Sequence, residues 1–162
     1  MRRRLCLHFT IFGLAAIVVG ANSVEGQDAP EDIAVSEPLS ITRLYSDSEG
    51  GSHFSDMQIS FELRDYAPPA PPVSVSGFIK TEGFVIISSP GGWFGDWHPA
   101  PRRQYMICLS GTVEIKVTDG EVRQFGPGSL LLVEDTTGKG HISRVVGKER
   151  GYMIALPIEE GE

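Results

Sequence analysis

Apolar and polar residues alternate with a period of two along much of the chain. The clearest case is residues 53–63, where Met57, Ile59, Phe61 and Leu63 share one parity with His53, and the other parity carries Asp56, Gln58 and Glu62. Period 2 is typical of a half-buried β-strand. The pattern therefore predicts a strand here, with His53 on the face that carries the apolar row.

Shorter apolar or alternating runs follow at regular spacing, separated by turn residues. Asp119-Gly120 is a strong hairpin signal, and Ser110-Gly111 joins two further runs. No helical period is found after the first 26 residues. The predicted strands are residues 41–45, 53–63, 73–79, 84–89, 104–109, 112–117, 121–125, 129–133, 141–146 and 151–157. About ten short strands predict an all-β antiparallel sandwich or barrel, with a jelly roll as the leading choice.

The first residues have a different character. Three arginines precede a short apolar run, and small residues follow it up to Gly26, which is the layout of a secretory signal peptide. We therefore expect residues 1–26 to be removed and the protein to be exported, to the periplasm or outside the cell. Residues 27–40 read as a flexible acidic leader, 41–157 as a single domain and 158–162 as an acidic tail.

Charge and cysteine content limit the partners and the source of stability. Removal of residues 1–26 takes away three arginines and Glu25, which leaves 11 basic and 20 acidic residues. This balance argues against nucleic acid or an anionic membrane surface as a partner. The remaining chain keeps one cysteine, Cys108, so an exported fold would have no internal disulfide and would depend on packing.

Candidate chemistry lies in the segment WHPAPRRQYMICLSG, residues 97–111, and in a second segment that ends at His141. Prolines at 99 and 101 keep the first segment extended, so Asp96 and His98 are predicted to project to the same side. Gln104 begins the next strand. If the inner faces meet, two imidazoles, a carboxamide and a carboxylate surround one point.

The spacing of these residues resembles the cupin superfamily. Gly92, His98, Ala100, Gln104 and Gly111 fall at the positions of the first cupin motif, and Pro127-Gly128 with His141 fall at those of the second. The resemblance covers residues 73–157. The amino-acid sequence of the two motif segments is similar to that of a group of small, poorly characterised single-domain cupins. It implies a cupin-type double-stranded β-helix, which often forms a homodimer by pairing sheet edges.

Metal-binding cupins usually use three histidines and a glutamate. In this sequence Ala100 stands in the place of one histidine and Gln104 in that of the glutamate. Two interpretations stay open: a metal-free polar pocket, or one divalent ion (Zn, Fe, Mn or Ni) held by His98, Gln104 and His141. Asp96 and His53 are additional candidate ligands.

The predicted ligand pocket also includes Met106, Trp97 and Arg102. For Arg102 a solvated rim, and for Trp97 plain core packing, are alternatives. Glu134 and Asp135, with Lys139, are expected to form an exposed loop.

The residues leave open whether the chain is an enzyme. The first hypothesis is an exported binding protein that holds a small polar ligand around His98, Gln104 and His141, without catalysis. The alternative is a divalent-metal-dependent enzyme of the dioxygenase or isomerase type. A third is a structural domain whose barrel is filled by side chains at the level of Met106 and Val145. A homodimer without nucleic-acid or membrane partners is expected in each case.

Overall fold

The computed structural model describes residues 34–159. Within that range the chain forms twelve strands. They are β1 Leu39–Ser46, β2 Ser52–Ile59, β3 Phe61–Arg64, β4 Val73–Ser76, β5 Val85–Ser89, β6 Phe94–His98, β7 Gln104–Ser110, β8 Thr112–Lys116, β9 Val122–Phe125, β10 Leu130–Glu134, β11 His141–Val146 and β12 Gly151–Pro157. In this part of the chain no helix is long and apolar enough to span a membrane.

The strands β5–β12 form two sheets. One sheet has the order β2-β1-β10-β7-β12-β5 and the other β6-β11-β8-β9. Apart from the hairpin of β8 and β9, which stays in the smaller sheet, consecutive strands pass from one sheet to the other and back, as in a jelly roll. The predicted all-β jelly-roll fold is confirmed. The strands β1 and β2 widen the first sheet, with β1 parallel to β10.

The predicted strand over residues 53–63 is two strands. It ends at Ile59, and Phe61 begins a separate ribbon in which β3 pairs with β4. The inward face was also misjudged, because Phe54 joins the core between the sheets while Met57 and Ile59 pack in a second cluster. His53 shares the parity of Met57, so it points away from the interior that contains Phe54.

The main core lies between the two sheets. Its buried side chains include Leu44, Cys108, Val117 and Leu131, each at most 1% exposed. Apolar residues of both inner faces interdigitate in such a sandwich, and their removal from water stabilises it. The second cluster, formed by Ile41, Leu132 and Ile158 with neighbouring partly buried side chains, packs on the other face of the larger sheet.

The edges of the domain bear on two sequence predictions. The described elements reach from Leu39 to the bridge at Ile158, just beyond the expected limits of 41 and 157. The strand β5 is a sheet edge, paired with β12, and its Val85, Ile86 and Ile87 are exposed. A homodimer that pairs such an edge stays a prediction. The predicted signal peptide lies outside the described residues.

Candidate functional site

Two neighbouring strands of the smaller sheet bring the candidate histidines together. In the pairing of β6 with β11, His98 lies directly opposite His141. The chain enters β11 through Gly140, whose φ is +71°. A Cβ atom at this position would lie 2.0 Å from the carbonyl oxygen of His98. Only glycine accepts both this conformation and this closeness, so Gly140 allows the two histidines to meet.

The two imidazole rings are adjacent and similarly held. Their centroids are 4.6 Å apart, with 51° between the ring planes. Nδ1 of His98 donates to the carbonyl oxygen of Asp96 at 2.6 Å, and Nδ1 of His141 donates to Oδ2 of Asp135, also at 2.6 Å. A backbone carbonyl can only accept a hydrogen bond, and so can an ionised carboxylate, so each Nδ1 is assigned the hydrogen. Each neutral ring therefore keeps a lone pair at Nε2.

Asp135 is a residue that the sequence interpretation misplaced. It was expected in an exposed loop, but its side chain is fully buried. Its Oδ1 atom has no hydrogen-bond partner among the described residues. The parity of the preceding strand could have shown this, since Asp135 follows Leu131 and Val133 at two-residue spacing and both are buried. Asp135 keeps this parity just after β10, and its carboxylate reaches Nδ1 of His141.

The loop prediction also fails for Glu134, which is largely buried on the other side of the strand. Its carboxylate pairs with Arg43 and Arg103. Burial raises the pKa of Glu134, but hydrogen bonds from the two guanidinium groups outweigh burial and hold it below its ordinary value. Glu134 therefore ties β1 to the segment before β7, outside the histidine pair. Lys139 is exposed, as predicted, with its ammonium 4.0 Å from the centre of the Trp97 ring.

A cavity of about 510 Å³ lies between the two sheets beside the histidines. This volume is within the range of small-molecule sites in proteins. Its walls are mainly apolar and come from both sheets. They include Val85, Ile87, Trp93, Ala100, Met106, Val113, Ile115, Leu131, Val133, Val145, Met153, Ala155 and Pro157. Met106 and Val145 line the space without filling it, contrary to the hypothesis of a filled barrel.

Polar groups reach the cavity at few points. His98, His141, Gln104 and Ser143 line it, and the last three are 8% exposed. Gln104 lies beside Val133 of β10 and Pro157 of β12, and it lines the cavity. The cavity therefore offers two imidazoles and an amide in otherwise apolar surroundings.

The structure brings five predicted pocket residues to this cavity, namely His98, Gln104, His141, Met106 and Arg102. The guanidinium of Arg102 also binds Glu82 at 2.7 Å and is more than half exposed, so it lies at the rim. Trp97 is not among the lining residues, whereas Trp93, four residues earlier, does line the cavity.

The two additional metal-ligand candidates lie elsewhere. Asp96 is exposed, and its carboxylate accepts a hydrogen bond from the amide of Trp97, so only its backbone carbonyl contributes to the site. His53 lies between Asp47 and Asp119, with nitrogen–oxygen distances of 2.7 and 2.8 Å. Hydrogen bonds to Asp47 and Asp119, in that order, raise the pKa of His53. Neither residue lines the cavity.

The donor set does not match that of a resident metal ion. Among residues 34–159 there is no group of three His, Cys, Asp or Glu side chains placed to share one ion. Asp135 is committed to Nδ1 of His141, and Ala100 has no donor atom. A bound ion would rely on two imidazoles and the neutral oxygen of Gln104, a weak third ligand. Metal on these three residues stays an untested prediction.

Comparisons with known proteins find similar solved structures. No protein-family model and no curated protein matches the chain. The structure is similar to the crystal structure of protein NMB1881 from Neisseria meningitidis, with 11% identity, a TM-score of 0.37, and coverage of 80% of this chain and 90% of that one. It is also similar to the cupin domain of Schizosaccharomyces pombe Cnp3, with 12% identity, a TM-score of 0.37, and coverage of 75% and 85%. The strand order of this chain is that of an all-β jelly roll.

Proposed function

We propose that this chain is an exported binding protein whose cavity takes a small molecule with an apolar body and one polar group. The observation that carries the proposal is the arrangement of His98, His141 and Gln104 at one apolar cavity of about 510 Å³. The sequence alone suggested a polar ligand. The walls favour a molecule that is mostly apolar, because polar groups buried against them would lose hydrogen bonds with water.

The hydrogen-bonding groups of the site define the polar end of the ligand. Both imidazoles use Nδ1 in fixed hydrogen bonds, so each neutral ring accepts at Nε2. The carboxamide of Gln104 donates and accepts. A hydroxyl, a carbonyl or an amide would therefore find a partner here. Because such groups would otherwise be buried without partners, these contacts select among apolar molecules of similar size.

The route of entry runs beside β5. Val85 and Ile87 line the cavity, yet they are 56% and 39% exposed. A residue that meets both the cavity and solvent marks an opening in the wall. Trp93 also lines the cavity and is 40% exposed. A ligand therefore reaches the histidines past apolar side chains.

Ligand binding is tested with a matched pair of variants on β11. Val145 lines the cavity, and the next residue, Val146, is on the outer face and 36% exposed. We expect Val145→Phe to fill the cavity and abolish binding, and Val146→Phe to leave it unchanged. The probes are aromatic and alicyclic alcohols, ketones and amides, titrated against Trp93 fluorescence in a Trp97→Phe background. Equal binding by both variants, or no binding by the parent protein, would refute the proposal.

The metal-dependent enzyme is distinguished by elemental analysis of protein purified without chelators. Even a three-ligand protein site normally retains metal, so less than about a tenth of an equivalent would exclude a resident transition-metal ion. A full equivalent that is lost in His141→Ala would instead favour the metal-dependent alternative. Bound molecules released from the same preparation by solvent extraction would identify the ligand directly.

A further inference from the structure

Asp135 and His141 form a carboxylate–imidazole pair at the cavity, an arrangement that favours proton acceptance by the imidazole. The carboxylate is fully buried, and one of its oxygens holds Nδ1–H of His141 at 2.6 Å. The ring is 8% exposed and borders the cavity, whereas Asp135 does not line it. A ligand thus meets the imidazole but not the carboxylate. When Nε2 takes a proton, the positive charge forms next to a negative charge in surroundings of low polarity.

The unpartnered oxygen of Asp135 supports a role in stabilising protonated His141. Oδ1 is buried and has no hydrogen-bond partner among the described residues, which is unfavourable for a carboxylate that only holds a ring in place. Holding the ring requires only one acceptor oxygen. His98 shows this, since a backbone carbonyl orients it at the same distance of 2.6 Å. Orientation of the His141 ring alone would therefore not require a negatively charged acceptor such as Asp135.

We propose that His141 acts as a general base, with Asp135 as its positioning residue, toward small carbonyl compounds that carry an acidic C–H bond beside the carbonyl group. This inference depends on the proposed function, because the compound must first enter the cavity. The apolar walls suit the carbon body of such a compound. Gln104 lines the same cavity as His141, so its carboxamide is available to the carbonyl oxygen.

The reaction is a reversible proton transfer. Nε2 of His141 takes the proton from the carbon atom, and the electron pair of the C–H bond forms a carbon–carbon double bond. The carbonyl π electrons move to oxygen, and the resulting enolate oxygen accepts a hydrogen bond from the Gln104 N–H group. The imidazolium then returns a proton to carbon. The cycle consumes no oxidant or other reactant, and its product is an isomer or a hydrogen-exchanged molecule.

The test uses 2-indanone, an apolar ketone with acidic C–H bonds, and the full chain in D2O. Loss of the CH2 signal in proton NMR measures exchange, and saturation-transfer NMR measures binding separately. General-base catalysis contributes typically 10²–10⁴-fold, so we expect exchange at least about 100-fold faster than with the same concentration of free imidazole. His141→Gln should remove this acceleration.

Asp135→Asn separates charge from orientation. The amide oxygen can still accept from Nδ1–H of His141, but the negative charge is gone. We expect exchange to fall by at least about tenfold, with binding of 2-indanone changed by less than about twofold. The matched control is Asp119→Asn, in which the carboxylate that meets His53 at 2.8 Å, outside the cavity, is neutralised in the same way. Asp119→Asn should leave both the exchange rate and the binding of 2-indanone unchanged.

The outcomes distinguish this inference from the proposed function. Binding of 2-indanone without exchange, or exchange that persists in a folded Asp135→Asn variant, overturns the inference and leaves ligand binding intact. Failure of 2-indanone to bind, while alcohols or amides bind, also overturns it, because the ligand class is then wrong. If Asp135→Asn does not fold, persistence of exchange in His141→Gln is the overturning result.

Discussion

The backbone of Gly140 lies against the backbone of His98 so closely that a Cβ at position 140 would be 2.0 Å from the His98 carbonyl oxygen. The carbonyl oxygen of Gly140 accepts a hydrogen bond from the hydroxyl of Ser52, a fully buried residue of β2, at 2.6 Å. The contact therefore links both sheets at the point where the histidines meet. The site depends on this contact, because it sets the separation of the two strands.

Gly140→Ala should destabilise the protein strongly. Its φ of +71° is unfavourable for alanine, and the added Cβ forces the strands apart. We expect a loss of about 3 kcal/mol or more in the free energy of unfolding, measured by urea denaturation. The control is Gly120→Ala, with φ +97° and nothing within 4 Å of its Cβ. That variant should lose only about 1–2 kcal/mol, the cost of the backbone conformation. Equal losses would show that the contact with His98 is unimportant.

The stability of the domain should depend on the protonation of His53. Its pKa is raised above the ordinary value of 6.5 by hydrogen bonds to Asp47 and Asp119. A raised pKa in the folded state means that the stabilisation is complete below pH 6.5 and is lost as the pH rises through the folded value. The neighbouring groups are the two carboxylates, whose own pKa values are lowered, and the ring of Tyr45.

Urea midpoints of the parent protein and His53→Gln, compared across this pH range, measure the effect. The difference between them should shrink as the pH rises, because only the parent protein carries the positive charge. Using the difference removes contributions from other titrating groups. A constant difference would mean that the ion pairs of His53 do not stabilise the fold.

Cys108 should be unreactive in the folded protein. It is 1% exposed, and burial raises the pKa of its thiol, so little thiolate is present and access is blocked. Labelling of Cys108 by a disulfide reagent, located by mass spectrometry, should proceed at the rate of unfolding and accelerate in urea. Val146→Cys, on the exposed outer face of β11, provides a folded-state control that should label at once. Rapid labelling of Cys108 in native protein would contradict its place in the core.

Much of the fold could be predicted because period-2 patterns and turn residues act locally. The strands β11 and β12 have the predicted bounds, and the strand order follows the jelly roll that the cupin-like spacing implied. The interruption near Ser60 was missed. Alternation continues through that residue, but β2 pairs with β1 and β3 pairs with β4, and the choice of partner is a property of the assembled sheets.

The sequence predicted that the two histidines meet, but it did not predict the residue that holds His141. The spacing of His98 and His141 indicated that they meet, whereas Asp135 was assigned to a loop by its polarity alone. Trp97 was predicted to line the pocket, but the cavity wall contains Trp93, the residue before β6. Side-chain direction in irregular segments depends on contacts that sequence parity does not describe.

The central claim is that His98 and His141 present unprotonated Nε2 atoms to a ligand cavity. Nitrogen-15 NMR of the histidine rings, in their neutral form, tests it most directly. We expect both rings to carry hydrogen at Nδ1, and both Nε2 resonances to shift when 2-indanone or another bound probe fills the cavity, while those of His53 stay constant. Hydrogen at Nε2 of either ring, or resonances that do not respond to a saturating probe, would contradict the account.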